Sequence, residues 1–204
     1  MNPVFLEYTG RVSLTGDLKT DVCALFAACG LAEVCSHCRS VAEEAARLAG
    51  KFGEDTERAK IASWLHDIGV ILPNELRLQY AGSLQIEVLP EEKACPSLLH
   101  QKYSKRMAQE VFGITDEAIL NAIECHTTLK PDASRLDMIL FLADKLSWNP
   151  SDLSSFIERI RRGLKTSLEA GALGYIGYLL EDRNRLSIVH PWLQAAYEDL
   201  IVKV

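Results

Sequence analysis

Apolar residues recur at helical spacing along most of this chain, whereas the strict alternation that marks a β-strand is nearly absent. The clearest case is the series His37, Val41, Ala45, Leu48 and Phe52, whose steps of four, four, three and four place all five side chains on one helical face. This periodicity predicts an all-α fold. We expect a compact bundle of about eight helices.

Capping residues and glycines predict where these helices begin and end. We expect helices over about residues 18–29, 36–52, 55–67, 73–80, 98–112, 116–126, 134–144 and 152–181, and a last one after Pro191. The predicted N-caps are Asp17, Asp55, Thr115 or Asp116, Ser134, and Ser151 or Asp152. Residues 4–14 are expected to form a short extended arm. Gly69 is expected to end the third helix, and residues 71–97 to hold a short helix and then a loop that acts as a lid.

The bulk properties of the chain restrict its class. A length of 204 residues suits one domain with a sizeable core. We expect an arm and first helix at residues 1–30, the functional core at residues 31–150, and helices at residues 151–204 packed on that core. The net charge of −6 argues against a nucleic-acid surface, which needs clustered Lys and Arg. No apolar run can span a bilayer and no secretory signal is evident, so we expect a cytoplasmic protein.

The six cysteines are expected to be thiols, because disulfides are rare in a reducing compartment. Cys35 and Cys38 form a single CxxC motif with no second pair, which argues against a zinc ribbon. No thioredoxin-like pattern surrounds the motif, which argues against a redox pair.

Four of the five histidines stand with two aspartates in an order typical of a metal site. That order is His37, the doublet His66-Asp67, His100, His126 and Asp144, each within or beside an apolar helical face. Histidine and carboxylate are preferred ligands of divalent cations that activate water. His66 and Asp67 diverge by about 100° on a helix but can both reach an ion beyond its last turn. The order therefore predicts a metal-dependent hydrolase. The fifth histidine, His190, falls outside the pattern and is expected to be structural.

Each of these residues also has a structural explanation when it is taken alone. His37 could be a core histidine bonded to a backbone carbonyl, and His100 a helix-end residue. His126 could bond Thr127 or Thr128, and Asp144 could pair with Lys145 or Arg135. All of these explanations would have to hold together, which favours the metal site.

Other residues near the pattern are candidates for substrate contact. Lys145, Lys102 and Arg39 could neutralise phosphate, or be solvated surface cations. Thr127 and Thr128 could donate hydrogen bonds to phosphate, or cap a helix end. Trp148 and Tyr103 could stack on a base, or pack in the core.

At these residues the chain resembles the HD-domain metal-dependent phosphohydrolases, and more narrowly the YqeK-type branch, the symmetrical diadenosine tetraphosphate hydrolases of bacteria. The resemblance covers about residues 30–150 and is carried by the stretches His37-Cys-Arg-Ser-Val-Ala-Glu, Ala62-Ser-Trp-Leu-His-Asp-Ile-Gly, Leu98-Leu-His, Phe112-Gly-Ile-Thr-Asp-Glu, Ala122-Ile-Glu-Cys-His-Thr-Thr and Phe141-Leu-Ala-Asp-Lys.

The resemblance implies a helical domain with two divalent metal ions, often iron, although these ligands also suit manganese, cobalt, nickel or zinc. By analogy, one ion is held by His37, His66, Asp67 and Asp144, and the second by His100, His126 and the bridging Asp67. The implied reaction splits diadenosine tetraphosphate into two ADP, with Asp67, Lys145 and Thr127 as catalytic residues.

The chain departs from the family at phosphate-contacting positions. Where HD proteins often carry a Lys three residues after the Asp, this chain has Val70, and Leu129 replaces the Gly that usually follows His-Thr-Thr. Two alternatives therefore stay open: an HD-type nucleotidase or phosphomonoesterase acting on another nucleotide, and a non-catalytic nucleotide-binding domain.

The small residues between Leu168 and Leu180 suit close helix packing, within the chain or across a homodimer.

Overall fold

The computed structural model describes residues 1–148, 154–182 and 185–204, and every regular element in those ranges is helical. The α-helices found there are α1 (Pro3–Thr9), α2 (Leu18–Ala28), α3 (Ala32–Phe52), α4 (Thr56–Leu65), α5 (Arg77–Ala81), α6 (Pro90–Ala94), α7 (His100–Glu110), α8 (Glu117–Cys125), α9 (Arg135–Leu146), α10 (Ser154–Gly163), α11 (Leu168–Glu181) and α12 (Pro191–Lys203). Short 3₁₀ turns lie at Ile68–Ile71, Asn74–Leu76 and Pro96–Leu99. The all-α prediction is confirmed, with more helices than the expected eight.

The additional helices are short ones. The predicted extended arm is wrong, since Pro3–Thr9 is helical: Asn2 accepts a hydrogen bond from the Val4 amide, and Phe5 and Tyr8 lie buried on one face. Helix α6 lies in the segment expected to be a loop. Helices of five to seven residues show too few repeats of the apolar pattern for sequence periodicity to reveal them.

The C-terminal stretch expected as one helix is divided into α10 and α11. A Cβ added to Gly163 would overlap the Ala170 carbonyl, and one added to Gly174 would lie 2.9 Å from Arg159 O. The small residues therefore let these two helices pack closely within the chain. The predicted N-caps Ser151 and Asp152 lie outside the described residues.

Helix α9 lies at the centre of the fold. Ten consecutive side chains, from Leu136 to Lys145, are buried. It packs against α3, α4, α8 and α11, and a helix buried on all sides belongs in the interior of a domain. Asp144, near its C-terminal end, is therefore fixed inside the protein rather than at its surface.

One cysteine pair differs from the sequence-based expectation. Cys23 of α2 and Cys35 of α3 form a disulfide, whereas Cys29, Cys38, Cys95 and Cys125 are free. The expectation of six thiols is therefore wrong for this pair. The expectation rested on a reducing compartment, which does not indicate which helices are neighbours. Here α2 packs on α3, which brings the two cysteines together. Among the described residues, no helix combines the length and apolar character needed to cross a membrane.

Candidate metal centre

The six predicted ligands converge although they come from five stretches of the chain. His66 follows the last residue of α4, His126 follows the last residue of α8, and His100 is the first residue of α7. His37 lies in the second turn of α3, and Asp144 on the central helix α9. Nitrogen and oxygen atoms of these residues form groups of three within 4.8 Å of one another. The helix ends thus place several ligand atoms around a common centre.

Asp67 is shared between two groups of imidazoles. Its Oδ2 lies 3.2 Å from His66 Nε2 and 3.9 Å from His37 Nε2. Its Oδ1 lies 3.4 Å from both His100 Nε2 and His126 Nε2. A carboxylate with one oxygen directed to each group has the geometry of a bridging ligand.

Asp144 completes the group that contains His37 and His66. Its Oδ1 lies 3.0 Å from His37 Nε2 and 3.8 Å from His66 Nε2. The second group is closed by a contact of 3.0 Å between His100 Nε2 and His126 Nε2. The two groups match the two ligand sets that the family resemblance implies.

Three of the imidazoles are aimed by the backbone in the same way. The Nδ1–H of His66, His100 and His126 donates to the carbonyl three residues earlier, at Ser63, Ser97 and Ile123, over 2.7, 2.7 and 2.8 Å. This bond fixes the tautomer and directs the Nε2 lone pair into the cluster. Metal-ligating histidines commonly donate their second ring nitrogen to a carbonyl in this manner.

The imidazoles and carboxylates of the cluster shift one another's pKa values. Burial opposes ionisation of Asp67, but the attraction of His66 and a hydrogen bond from His126 outweigh it and hold the pKa of Asp67 well below its usual range. Burial alone would lower the pKa of His66, yet the attraction of Asp67 raises that pKa well above its usual value. Burial and the nearby His126 lower the pKa of His100 to about 4. Among the described residues, the buried Nε2 of His66 has no hydrogen-bond partner, which fits a role as a metal ligand.

A glycine allows the turn after Asp67 to lie close against helix α7. Gly69 lies in the 3₁₀ turn Ile68–Ile71, where its amide donates to Ser104 Oγ of α7 over 2.9 Å. A Cβ at this position would lie 2.5 Å from His100 O and 2.6 Å from the Ser104 amide nitrogen. The expectation that Gly69 ends α4 is wrong; the glycine is needed for contact between the turn after Asp67 and α7.

Five of the predicted substrate or catalytic residues line a cleft of about 570 Å³ above the cluster: Asp67, Thr127, Thr128, Lys145 and Trp148. Lys145 is buried and donates to Asp144 Oδ2 over 2.6 Å and to the His126 carbonyl over 2.9 Å. Trp148 Nε1 donates to Asp144 Oδ1 over 3.2 Å while 43% of the residue stays exposed. Lys145 and Trp148 thus orient Asp144.

Three other predicted contacts lie away from the cleft. Tyr103 is fully buried and its hydroxyl donates to the Arg77 carbonyl, so its ring is not available to a base. Lys102 is buried and donates to Glu92 over 2.8 Å and to Glu87 O over 2.9 Å. Arg39 lines a different cavity. These corrections have one cause: sequence position identifies a nearby residue but not the direction in which its side chain points.

Sequence reasoning missed one wall of the cleft, since it assigned no chemistry to residues after 150. Helices α10, α11 and α12 and the segment before α12 contribute aromatic, aliphatic and basic side chains: Phe156, Tyr175, Tyr178, Leu179, Arg185, Leu186, Ile188 and Leu193. The spacing of Tyr175 and Tyr178 on one helical face was the available signal. His190 also borders the cleft, where its Nδ1 accepts from the Trp192 amide at the start of α12.

Gln101 was also missed. Its side chain is buried; Oε1 accepts from the Thr127 amide over 3.2 Å and Nε2 donates to Thr128 Oγ1 over 3.3 Å. It therefore fixes the turn after His126 against α7, the helix that carries His100.

Comparison with known proteins gives consistent results. The family model described as HD domain matches residues 34–149. A Halalkalibacterium halodurans protein described as a symmetrical bis(5'-nucleosyl)-tetraphosphatase is 30% identical over 175 residues, which is 82% of this chain and 88% of that protein. An uncharacterized Lactococcus lactis subsp. cremoris protein in the pepC 5' region is 47% identical over 143 residues, 70% of this chain and 72% of that protein.

A solved structure shows the same fold over most of the chain. It is a predicted HD superfamily hydrolase involved in NAD metabolism from Clostridium acetobutylicum, at 1.50 Å resolution. The two structures superpose with a TM-score of 0.82 at 28% identity, over 95% of this chain and 100% of the other.

Proposed function

This chain belongs to the HD-domain family of phosphohydrolases, and we propose that it hydrolyses a nucleotide phosphoanhydride, with symmetrical cleavage of diadenosine tetraphosphate to two ADP as its main activity. The observation that carries the proposal is Asp67, whose two oxygens face separate imidazole groups at the floor of a cleft with an aromatic wall. The similarity to the Halalkalibacterium halodurans protein described as a symmetrical tetraphosphatase supports the choice of substrate.

Divalent ions are the cofactors that this ligand set supports. His37, His66, Asp67 and Asp144 would hold one, and Asp67, His100 and His126 the other. The mixture of imidazole and carboxylate suits iron, manganese, cobalt, nickel or zinc, and the family resemblance favours iron. When bound, such ions supply Lewis acidity and a water of lowered pKa for attack on phosphorus.

The residues around the floor position the phosphate chain. Thr127 Oγ1 lies 3.2 Å from His100 Nε2 and lines the cleft as a donor to phosphate oxygens. The Thr128 hydroxyl also lines the cleft but donates to the Leu129 carbonyl over 2.9 Å. Arg185 is the arginine that lines the cleft among the described residues, and it supplies the cation that Val70 does not. Lys145 holds Asp144 in its ligand position.

The aromatic wall suits a nucleoside. Phe156, Tyr175 and Tyr178 form edge-to-face and tilted ring contacts with centroids 5.2 to 5.8 Å apart, which makes a firm apolar surface. Trp148 presents an exposed ring at the same cleft. The Trp148 ring offers a base a face to stack on, and the apolar wall would pack against the nucleoside, whereas an inorganic phosphate would need neither.

The experiment combines a substrate panel with isotope labelling. Protein loaded with iron or manganese is incubated with diadenosine tetraphosphate and with mononucleotides in H₂¹⁸O, and the products are identified by mass spectrometry. Two ADP, one carrying ¹⁸O, is the expected result. Asp67→Asn should abolish turnover and metal binding, whereas Asp132→Asn should retain both, because Asp132 is exposed and pairs with Lys203 instead.

Other outcomes would contradict the proposal. Release of phosphate from a mononucleotide, with diadenosine tetraphosphate left intact, would identify a nucleotidase. Tight nucleotide binding by metal-loaded protein without turnover would identify a binding domain. ATP and AMP as products would show asymmetric cleavage.

A further inference from the structure

A second cavity of about 470 Å³ lies between α2, α3 and α4. Its lining residues are Lys19, Thr20, Cys23, Arg39, Ala42, Glu43, Lys60 and Trp64. None of them lines the cleft above the metal centre. The cavity is therefore a separate site, with a volume in the range that small-molecule sites occupy.

This cavity lies behind the metal centre. Side chains two positions apart on a helix diverge by about 200°. Arg39 comes two residues after His37, and Trp64 two residues before His66. The helices that direct imidazoles into the metal centre therefore direct these two residues to the opposite side.

The lining carries an excess of positive charge. Three cations, Lys19, Arg39 and Lys60, meet one carboxylate, Glu43. Within the described parts of the chain, Lys19 and Arg39 form no ion pair or hydrogen bond, while Lys60 pairs with Glu57 over 2.6 Å. Unpaired cations at a cavity are unexpected in a chain whose net charge is −6, where carboxylates are in excess.

One neutral group of the lining is also a free donor. The Trp64 indole makes no hydrogen bond within the described ranges, although Trp64 is only 5% exposed. Asp17, the N-cap of α2, attracts Lys19, and its carboxylate accepts hydrogen bonds from the Thr20 hydroxyl and, over 2.9 Å, from the Thr20 amide. The cavity thus offers many more donors than acceptors.

We propose that this cavity binds a small phosphorylated molecule, with Arg39 and Lys19 as its principal contacts. Two cationic side chains, a third at the rim and an indole N–H suit three phosphate oxygens better than the two oxygens of a carboxylate. The planar guanidinium of Arg39 matches two of those oxygens at once.

The test measures lysine protection, which locates the ligand without relying on turnover. The full chain is treated with an acetylating reagent in inorganic phosphate or in sodium chloride of equal ionic strength, and each lysine is followed by mass spectrometry. At a phosphate concentration of about ten times Kd, Lys19 should react about tenfold more slowly, because only about a tenth of the sites are then free. Lys93, which is exposed on α6, should not change.

Matched variants decide the assignment. Arg39→Ala should remove the protection of Lys19, while Arg135→Ala, which removes an exposed arginine at the start of α9, should leave it intact. Equal reaction rates of Lys19 in phosphate and chloride would overturn the proposal, as would protection that survives Arg39→Ala. Protection by citrate but not by phosphate would replace the phosphate assignment with a carboxylate one.

Discussion

The contact between the turn after Asp67 and helix α7 can be tested by adding one methyl group, in Gly69→Ala. The new Cβ would lie 2.5 Å from His100 O, 2.6 Å from Ser104 N and 2.9 Å from Ser104 Oγ. Two of these atoms belong to the backbone, so rotation of a side chain cannot relieve the overlap. The turn and α7 must move apart.

The cost follows from two contributions. Forcing an extra methyl into a packed interior costs about 1–3 kcal/mol. Separation also weakens the hydrogen bond from the Gly69 amide to Ser104 Oγ, which is worth about 1 kcal/mol. The total of about 2–4 kcal/mol lowers Tm by roughly 5–15 °C in a domain of this size. Because His100 begins α7, the same movement should weaken metal binding.

Thermal unfolding of the metal-free protein measures the loss of stability. Titration of folded, metal-free protein with manganese measures the effect on metal binding. Gly50→Ala is the matched control, since Gly50 lies exposed within α3 and its added Cβ meets no atom within 4 Å. That change should stabilise the protein by about 0.5–1 kcal/mol through helix propensity. If Gly69→Ala melts within a degree or so of the unmodified protein, or binds manganese equally well, the close contact at Gly69 does not shape the metal centre.

Three further predictions concern groups outside that contact. Lys145→Met removes the ammonium group that pairs with buried Asp144 and should lower the unfolding free energy of metal-free protein by about 3 kcal/mol, measured in urea; an unchanged midpoint would contradict the pairing. Burial opposes ionisation of Glu92, but the hydrogen bonds that its carboxylate accepts lower its pKa. Ionised Glu92 therefore stabilises the fold at neutral pH, and that contribution disappears as the pH falls below the usual value of 4.5. Glu92→Gln should remove this part of the acid dependence in pH-resolved melting curves, and an unaltered profile would refute it. Reduction of the Cys23–Cys35 disulfide, which spans 12 residues, should cost about 2–3 kcal/mol in melting experiments with and without reductant, whereas a reductant-insensitive Tm would show that the link adds no stability.

Local signals in the sequence were sufficient to place most of the candidate ligands on a buried helical face or at a helix end. The spacing from His37 to Val41 identifies a buried helical face, and His66 and His126 each follow directly on a helix end. Helix periodicity and end signals act over a few residues, so a single sequence reveals them. That these residues are metal ligands stays a proposal, and their convergence depends on contacts between distant segments of the chain.

Contacts between distant segments could not be predicted in this way. Tyr103 bonds to Arg77, 26 residues earlier, and the apolar wall comes from helices that follow the cluster. Helical spacing tells which side chains share a face but not what lies opposite that face. For Arg39, helical spacing already indicated that its side chain points away from His37, so nearness to His37 in the sequence did not place it in the cleft.

The backbone bonds that hold His66, His100 and His126 have a consequence for metal exchange. These rings lose their rotational freedom when the chain folds, so a cation arriving later has little left to organise. Stripping the protein with a chelator should therefore leave a folded shell that accepts a different transition metal without refolding. The metal that is bound would then depend on which metals are abundant during expression, because the orientation of the three rings would not select among them.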